Sequence, residues 1–168
     1  MAIASREPLW PDSASYKASE TNPVNDLTRI ELLEARTQIS DLIYKYAQGV
    51  RNGNYEACIS LFADDATFTV RMAVPGERDS AVTRTTLTNP AALLTYLREA
   101  AASSGGMCPL ISNVIIDVQG SLATSNSMMT ATVWSDGKTV IGEYEDTFRY
   151  DGRWQFSSRI YTIFRPRT

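Results

Sequence analysis

Apolar residues recur at helical spacing in the first third of the chain. Intervals of three and four residues place these positions on one face of a helix. The resulting stripe consists of Ile39, Leu42, Ile43, Tyr46 and Val50. Asp26 or Thr28 can cap the helix, with Glu31 completing a capping box after Thr28, and Gly53 stops it. The pattern therefore predicts one long amphipathic helix over residues 26–52.

Two shorter helices follow from their capping residues. Asn54 can cap a helix over 54–63 that buries Ile59 and Phe62. Pro90 suits the first turn of a helix over 90–104, which Gly105 and Gly106 end. A strand is predicted between them at 66–74, followed by a polar loop with a possible short strand at 81–87.

The remainder of the chain alternates between apolar strand patterns and turn residues. Strands are predicted over 108–118, 122–134, 139–150 and 154–165. The Asp-Gly pairs at 136–137 and 151–152 are strong hairpin turns. Helices followed by antiparallel strands predict an α+β fold, in which three N-terminal helices cover one face of a curved antiparallel sheet.

The domain boundary is set by a change in composition. Residues 1–26 are rich in proline and small polar residues, which predicts an extended arm that precedes a single domain over 27–168. The strand at 110–118 is apolar on both faces. That pattern favours a homo-oligomer, a dimer or a trimer, although cover by the chain's own helices and arm is the alternative.

The absence of histidine restricts the possible chemistry more than any other count. It excludes histidine general bases and histidine-ligated metals, and two cysteines are too few for a zinc site. We therefore expect no metal and no cofactor. A net charge of −3 argues against nucleic acid and membrane as partners, and the composition favours a reduced, cytoplasmic protein.

Three stretches resemble one known family in order and spacing. They are "ISDLIYKYAQGVRNGNYEACISLFADDATF", "ISNVIIDVQGSLAT" and "GEYEDTFRYDGRWQFSSRIY". They resemble the SnoaL-like branch of the nuclear transport factor 2-like superfamily, which includes polyketide cyclases, scytalone dehydratase-like enzymes and dehydrochlorinases. The resemblance implies a cone-shaped sheet around the helices with a deep apolar pocket. In catalytic members an aspartate often occupies the position of Arg51 and a histidine that of Pro109, so both usual acid–base positions differ here.

A charge pair is the alternative candidate for chemistry. Arg51, near Tyr44 on the first helix, could hold an anion in the pocket, or it could be a solvated cation at the helix end. Asp146 is the only charge on an otherwise apolar strand face, which suggests an Arg51–Asp146 pair, whereas a bulge would place Asp146 on the surface. We assign candidate catalytic roles to Arg51, Asp146 and Tyr44.

Polar and aromatic side chains near the expected pocket are candidates for ligand binding. They are Tyr46, Tyr55, Phe68, Met72, Asn113, Met129, Trp134 and Tyr144. The leading hypothesis is a cofactor-free lyase or isomerase that acts on a small apolar, aromatic or polycyclic substrate through an anion-stabilised intermediate. The alternative is a non-catalytic ligand-binding or subunit-scaffolding domain, as in the β subunits of ring-hydroxylating dioxygenases.

Overall fold

A computed structural model describes residues 28–77 and 81–165, so the predicted arm at 1–26 lies outside the described residues. The elements follow in the order α1 Arg29–Asn52, α2 Tyr55–Ile59, β1 Phe62–Ala73, β2 Val82–Leu87, α3 Pro90–Ser104, β3 Met107–Gln119, β4 Leu122–Val133, β5 Thr139–Tyr150 and β6 Trp154–Phe164. The fold is α+β, as the sequence predicts.

The helix ends are set by the predicted capping residues. The Glu31 backbone N–H donates to the Thr28 hydroxyl, and the Thr28 N–H donates to the Glu31 carboxylate at 2.7 Å, which completes the capping box. Gly53 ends α1 in the left-handed conformation, with φ 67°. At α3 the predicted Pro90 lies in the first turn, and Asn89, a cap that was not predicted, accepts from the Ala92 N–H.

The second helix is shorter than predicted. It ends at Ile59, and β1 already begins at Phe62, whereas the sequence suggested a helix to residue 63. Phe62 pairs with Phe156 across the β1–β6 ladder, and the two rings stack with their centroids 4.8 Å apart. This tertiary pairing outweighs the local helical pattern at the end of α2.

The six strands form one open, curved sheet in the order β2-β1-β6-β5-β4-β3. Neighbouring strands are antiparallel except β1 and β6, which run parallel, so the chain's first long strand joins its last. The helices lie on the concave face, where α1 packs against β3 and β6, and α3 packs against α2, β1 and the edge strand β2. The sheet and helices together form a cone.

Two bulges change which side chains face into the cone. In β3, Asn113 and Val114 lie opposite a single residue of β4, and Asn113 has φ 51°. Asparagine tolerates this left-handed conformation better than most residues. In β6 the register with β5 shifts at Ser157, so that Phe156 lies opposite Phe148 and Arg159 lies opposite Asp146. Arg159 and Tyr161 therefore point inward.

The outer face of the β3 region leaves large apolar side chains in solvent. Leu110 is 66% exposed and Ile115 is 69% exposed, whereas Ile116 is buried in the core. The strand is thus apolar on both faces, as the sequence indicates. Over the described ranges 28–77 and 81–165, no helix combines the length and the apolar character needed to cross a membrane.

Candidate functional site

A small cavity lies between the helices and the concave face of the sheet. Its free volume is about 60 Å³, and its wall is mainly apolar. One side is built by α3, which contributes Tyr96, Leu97, Ala100, Ala101 and Ser104. The remaining lining residues are Tyr46, Val50, Tyr55, Phe68, Gly106, Met107, Tyr144 and Tyr161. Five tyrosines thus surround a space that holds no charged side chain in its wall.

A buried ion pair lies on the inner face of the sheet, next to two of these tyrosines. Arg159 Nε donates to Asp146 Oδ1 at 2.7 Å, and Nη2 donates to Oδ2 at 2.8 Å. Both side chains are 0% exposed. The Ser125 hydroxyl adds a hydrogen bond to Asp146 Oδ2 at 3.3 Å. This bidentate arrangement neutralises the arginine within the core.

Aromatic rings enclose the Arg159 guanidinium. Its central carbon lies 4.4 Å from the centroid of Tyr46, 4.2 Å from that of Tyr144 and 4.3 Å from that of Phe156. These are cation–π distances. Burial lowers the pKa of Arg159, but the charge and hydrogen bonds of Asp146 raise it by more, so the pKa lies above its ordinary value. Arg159 therefore stays protonated and paired.

The tyrosines of the cavity wall share one electrostatic property. Burial raises the pKa of each of them, and it raises that of Tyr144 to about 12. A shift in this direction means that the surroundings disfavour negative charge. The phenol groups consequently remain neutral and can donate hydrogen bonds, but the cavity opposes the formation of an anion.

The predicted pair of Arg51 with Asp146 is wrong, because Asp146 binds Arg159 instead. Arg51 is exposed, and its Nε lies 3.4 Å from the Asn52 side-chain oxygen. Arg51 and Tyr44 do lie together, but in an outer groove between α1 and β3 that Pro109 also lines. On a helix, Tyr44 is rotated by about 200° from the buried Tyr46, so both cannot face the cone interior.

Four predicted ligand-binding residues lie outside the cavity wall. The bulge turns Asn113 into solvent, and Met72 lies near the end of β1 with its sulfur 3.2 Å from Arg84 Nε and 3.0 Å from Arg165 Nη2. Met129 is fully buried in the core. Trp134 is 56% exposed and rests against Gly106 at the end of α3, so it borders the site from outside.

The structure brings together Tyr46, Tyr55, Phe68 and Tyr144 of the predicted set. Sequence reasoning missed Arg159, Tyr96 and Tyr161. Strict alternation from Trp154 through Phe156 would direct Ser158 inward and Arg159 outward, and the bulge at Ser157 reverses this. The signal that could have pointed to Arg159 was Asp146, because a buried carboxylate on an apolar strand face needs a nearby cation.

The two cysteines are free thiols. Burial raises the pKa of Cys58 to about 12, and its Sγ lies 3.5 Å from the Tyr46 carbonyl oxygen. Within the described ranges, no group of three or more histidine, cysteine, aspartate or glutamate side chains is placed to hold a metal ion.

The family model of the SnoaL-like domain matches residues 31–160. This match spans most of the chain and nearly all of the cone. The chain belongs to the SnoaL-like family.

Comparison with solved structures supports the same fold. An NTF2-like protein with a cystatin-like fold from Novosphingobium aromaticivorans is 21% identical, with coverage of 83% of this chain and 88% of that chain and a TM-score of 0.66. A protein from the same organism, assigned as the β subunit of an aromatic-ring-hydroxylating dioxygenase, is 20% identical, with coverage of 81% and 93% and a TM-score of 0.66. A hexachlorocyclohexane dehydrochlorinase from Novosphingobium barchaimii is 17% identical, with coverage of 81% and 90% and a TM-score of 0.65. Comparison with curated proteins gave no sequence match.

Proposed function

We propose that the cone binds one small, uncharged, largely apolar molecule with a single ring, and that it binds this ligand without transforming it. The observation that carries the proposal is the cavity wall, which combines apolar side chains with five neutral tyrosines and contains no charged group. Concave apolar sites with a few polar groups are the usual form of small-molecule sites. The free volume of about 60 Å³ favours a small ligand.

The charge of the ligand follows from the surroundings of the cavity. A carboxylate or ammonium group placed there would lose its hydration without gaining a counter-charge. Arg159 does not supply that charge, because it is not part of the cavity wall and Asp146 neutralises it. The raised pKa values of the five tyrosines also oppose a negative group. A neutral ring with one hydrogen-bond acceptor therefore suits the cavity best.

The same features argue against proton chemistry. A general base should have a pKa near the working pH and should reach the ligand. The wall holds no carboxylate, amine or thiol, and Asp146 is occupied by Arg159 and Ser125. The anion-stabilising role that the sequence suggested for Arg51 has no support, because Arg51 lies in the outer groove.

A ligand titration with matched variants tests the binding proposal. Toluene, a neutral ring, should shift the NMR signals of residues around the cavity, and benzoate should bind at least about tenfold more weakly, because burying its charge is costly. Ala101→Leu should fill the cavity and abolish binding, whereas Ala102→Leu, on the exposed side of the same helix, should leave it intact. Equal binding of toluene to both variants would refute the assignment of the site.

A lyase or isomerase is the second candidate. The fold is shared with a dehydrochlorinase, and the Tyr144 and Tyr161 rings lie 5.0 Å apart on the cavity wall. Two protonated phenols could donate to a carbonyl oxygen on which charge develops, and a third tyrosine would have to move the proton. Exchange of the α-protons of cyclohexanone in D₂O tests this candidate. If the protein accelerates this exchange over buffer alone, and Tyr144→Phe abolishes the acceleration, an enzymatic function would be favoured over simple ligand binding.

Self-association is the second part of the proposal. The exposed Leu110 and Ile115 on the outer side of β3 form an apolar surface of the kind that oligomers bury. Light scattering should show a dimer or trimer, and Ile115→Lys should shift it toward the monomer. A wild-type monomer at micromolar concentration would exclude self-association.

The free thiols support a reducing, cytoplasmic location.

A further inference from the structure

The cavity is enclosed on one side by a helix that has few strong attachments. Of the residues in α3, Leu93 and Leu97 are the two that are buried. The helix packs mainly on α2, β1 and β2, at one side of the sheet. The opposite wall is rigid by comparison, because Tyr144 and Tyr161 lie on central strands beside the Arg159–Asp146 pair.

The C-terminal end of α3 has the backbone of a hinge. Gly105 and Gly106 follow the helix with φ 69° and 89°, a conformation that glycine adopts without strain. This end is fixed to the sheet, since the Trp134 N–H donates to the Gly106 carbonyl at 3.0 Å and the Ser135 N–H donates to the Ser104 carbonyl at 3.2 Å. The rest of α3 could rotate about this fixed point.

One ion pair joins the middle of α3 to α2. Arg98 contacts the Glu56 carboxylate, and the two residues directly follow Leu97 and Tyr55 of the cavity wall in the sequence. Both partners are more than half exposed, so the pair is a weak link that can break and re-form.

We propose that α3 is a hinged wall of the cavity, held closed by the Glu56–Arg98 pair and opened about Gly105–Gly106. A ligand enters when the pair breaks and α3 moves away from α2. Opening would enlarge the free space, which is about 60 Å³ when α3 lies against α2. The hinge itself stands independently of the proposed function, and only the ligand measurement below rests on that function.

Hydrogen exchange on the full chain, followed by mass spectrometry, tests the hinge. Amides of residues 90–104 should exchange as one unit, faster than those of β5, because they open locally. Glu56→Gln and Arg98→Gln should each accelerate exchange in this segment by about 1.5- to fivefold, the range expected for loss of an exposed pair. The double variant should add no further increase, because both changes remove the same contact.

A matched control distinguishes the effect of breaking the Glu56–Arg98 pair from the effect of removing a surface charge in general. Asp41→Asn removes the exposed Lys45–Asp41 pair on α1 and should leave exchange in α3 unchanged. The proposal fails if Glu56→Gln leaves α3 unchanged, or if it accelerates β5 to the same extent, which would indicate global destabilisation. Equal protection of α3 and β5 in the wild type would also overturn it.

Toluene exchange measured by NMR provides the ligand readout. If the helix gates the cavity, Glu56→Gln should increase the association and dissociation rates together, with a smaller change in Kd. Rates unchanged by Glu56→Gln would contradict gating even if α3 opens. Absence of toluene binding in the wild type would refute the proposed function, while the hydrogen-exchange result would still decide whether α3 is hinged.

Discussion

Asp146 and Arg159 form a bidentate pair between adjacent strands, with both side chains removed from solvent. The two hydrogen bonds of 2.7 and 2.8 Å fix the guanidinium among three aromatic rings, two of which line the cavity. The pair therefore holds the rigid side of the site in place. The two charges also neutralise each other, which is why we infer a neutral occupant.

Breaking this pair should cost much stability. Asp146→Asn leaves the buried Arg159 cation without a counter-charge, and we expect a loss of about 3–5 kcal/mol in the free energy of unfolding. Urea denaturation monitored by circular dichroism measures the change. Asp41→Asn, which removes one partner of an exposed pair, should have a far smaller effect. Similar losses in the two variants would contradict the structural role assigned to Asp146.

Local signals in the sequence were sufficient for most of the fold. Thr28, Glu31, Gly53 and Pro90 determine helix ends through local conformation and contacts within a few residues, and the structure has them in these places. The Asp-Gly turns place β5 and β6 correctly for the same reason. Pairing of β1 with β6 was not predictable in this way, because it joins residues about 90 positions apart.

The site was predicted less well, and two bulges account for much of this. Alternation along a strand assigns Asn113 to the inside and Arg159 to the outside, and one extra residue in each strand reverses both assignments. A single sequence shows no clear mark of such a residue. Tyr46 was identified correctly because it lies on an unbroken helix, and Tyr144 because it precedes the register shift of β5 with β6.

Arg51 should have no part in ligand binding inside the cone. Because the side chain is exposed in the groove outside α1, Arg51→Met should leave both the urea midpoint and toluene affinity within error of the wild type. Leu97→Ala, which alters the cavity wall, should change toluene affinity in the same assay. A large loss of affinity in Arg51→Met alone would restore Arg51 as a candidate site residue.

The buried tyrosines predict a loss of stability at alkaline pH. Burial raises the pKa of Tyr144 from 10.0 to about 12, so above pH 10 the unfolded chain releases this proton before the folded chain does. The folded state then binds more protons, and its stability falls as pH rises. The contribution of Tyr144 to the free energy of unfolding is complete below pH 10. It is lost as pH rises through the pKa of Tyr144 in the folded state, at up to about 1.4 kcal/mol per pH unit.

Urea denaturation at a series of pH values measures the slope of the free energy of unfolding against pH. Tyr144→Phe removes one titrating group and should reduce the slope between pH 10 and 12 by about that amount. Ile43→Val changes the core without removing a titrating group and should lower stability equally at every pH. A slope that is identical in Tyr144→Phe and the wild type would show that this tyrosine does not ionise differently in the two states.

The contact between α1 and α2 should not tolerate a larger residue at Gly49. A Cβ at this position would lie 2.5 Å from Cys58 Sγ and 3.2 Å from the Asn54 carbonyl oxygen. Replacing glycine inside a helix ordinarily stabilises it by about 0.5–1 kcal/mol, but the collision should make Gly49→Ala destabilising by about 1–3 kcal/mol.

Because the main collision is with the Cys58 sulfur, Cys58→Ala should relieve part of it. The double variant should then be more stable than the sum of the single losses predicts, by roughly 1 kcal/mol or more. Pairing Gly49→Ala with Cys108→Ala, a thiol on β3, should give additive losses instead. Additivity in both pairs would mean that α2 shifts freely to accept the methyl group, and α2 would then be too loosely placed to anchor the Glu56–Arg98 pair.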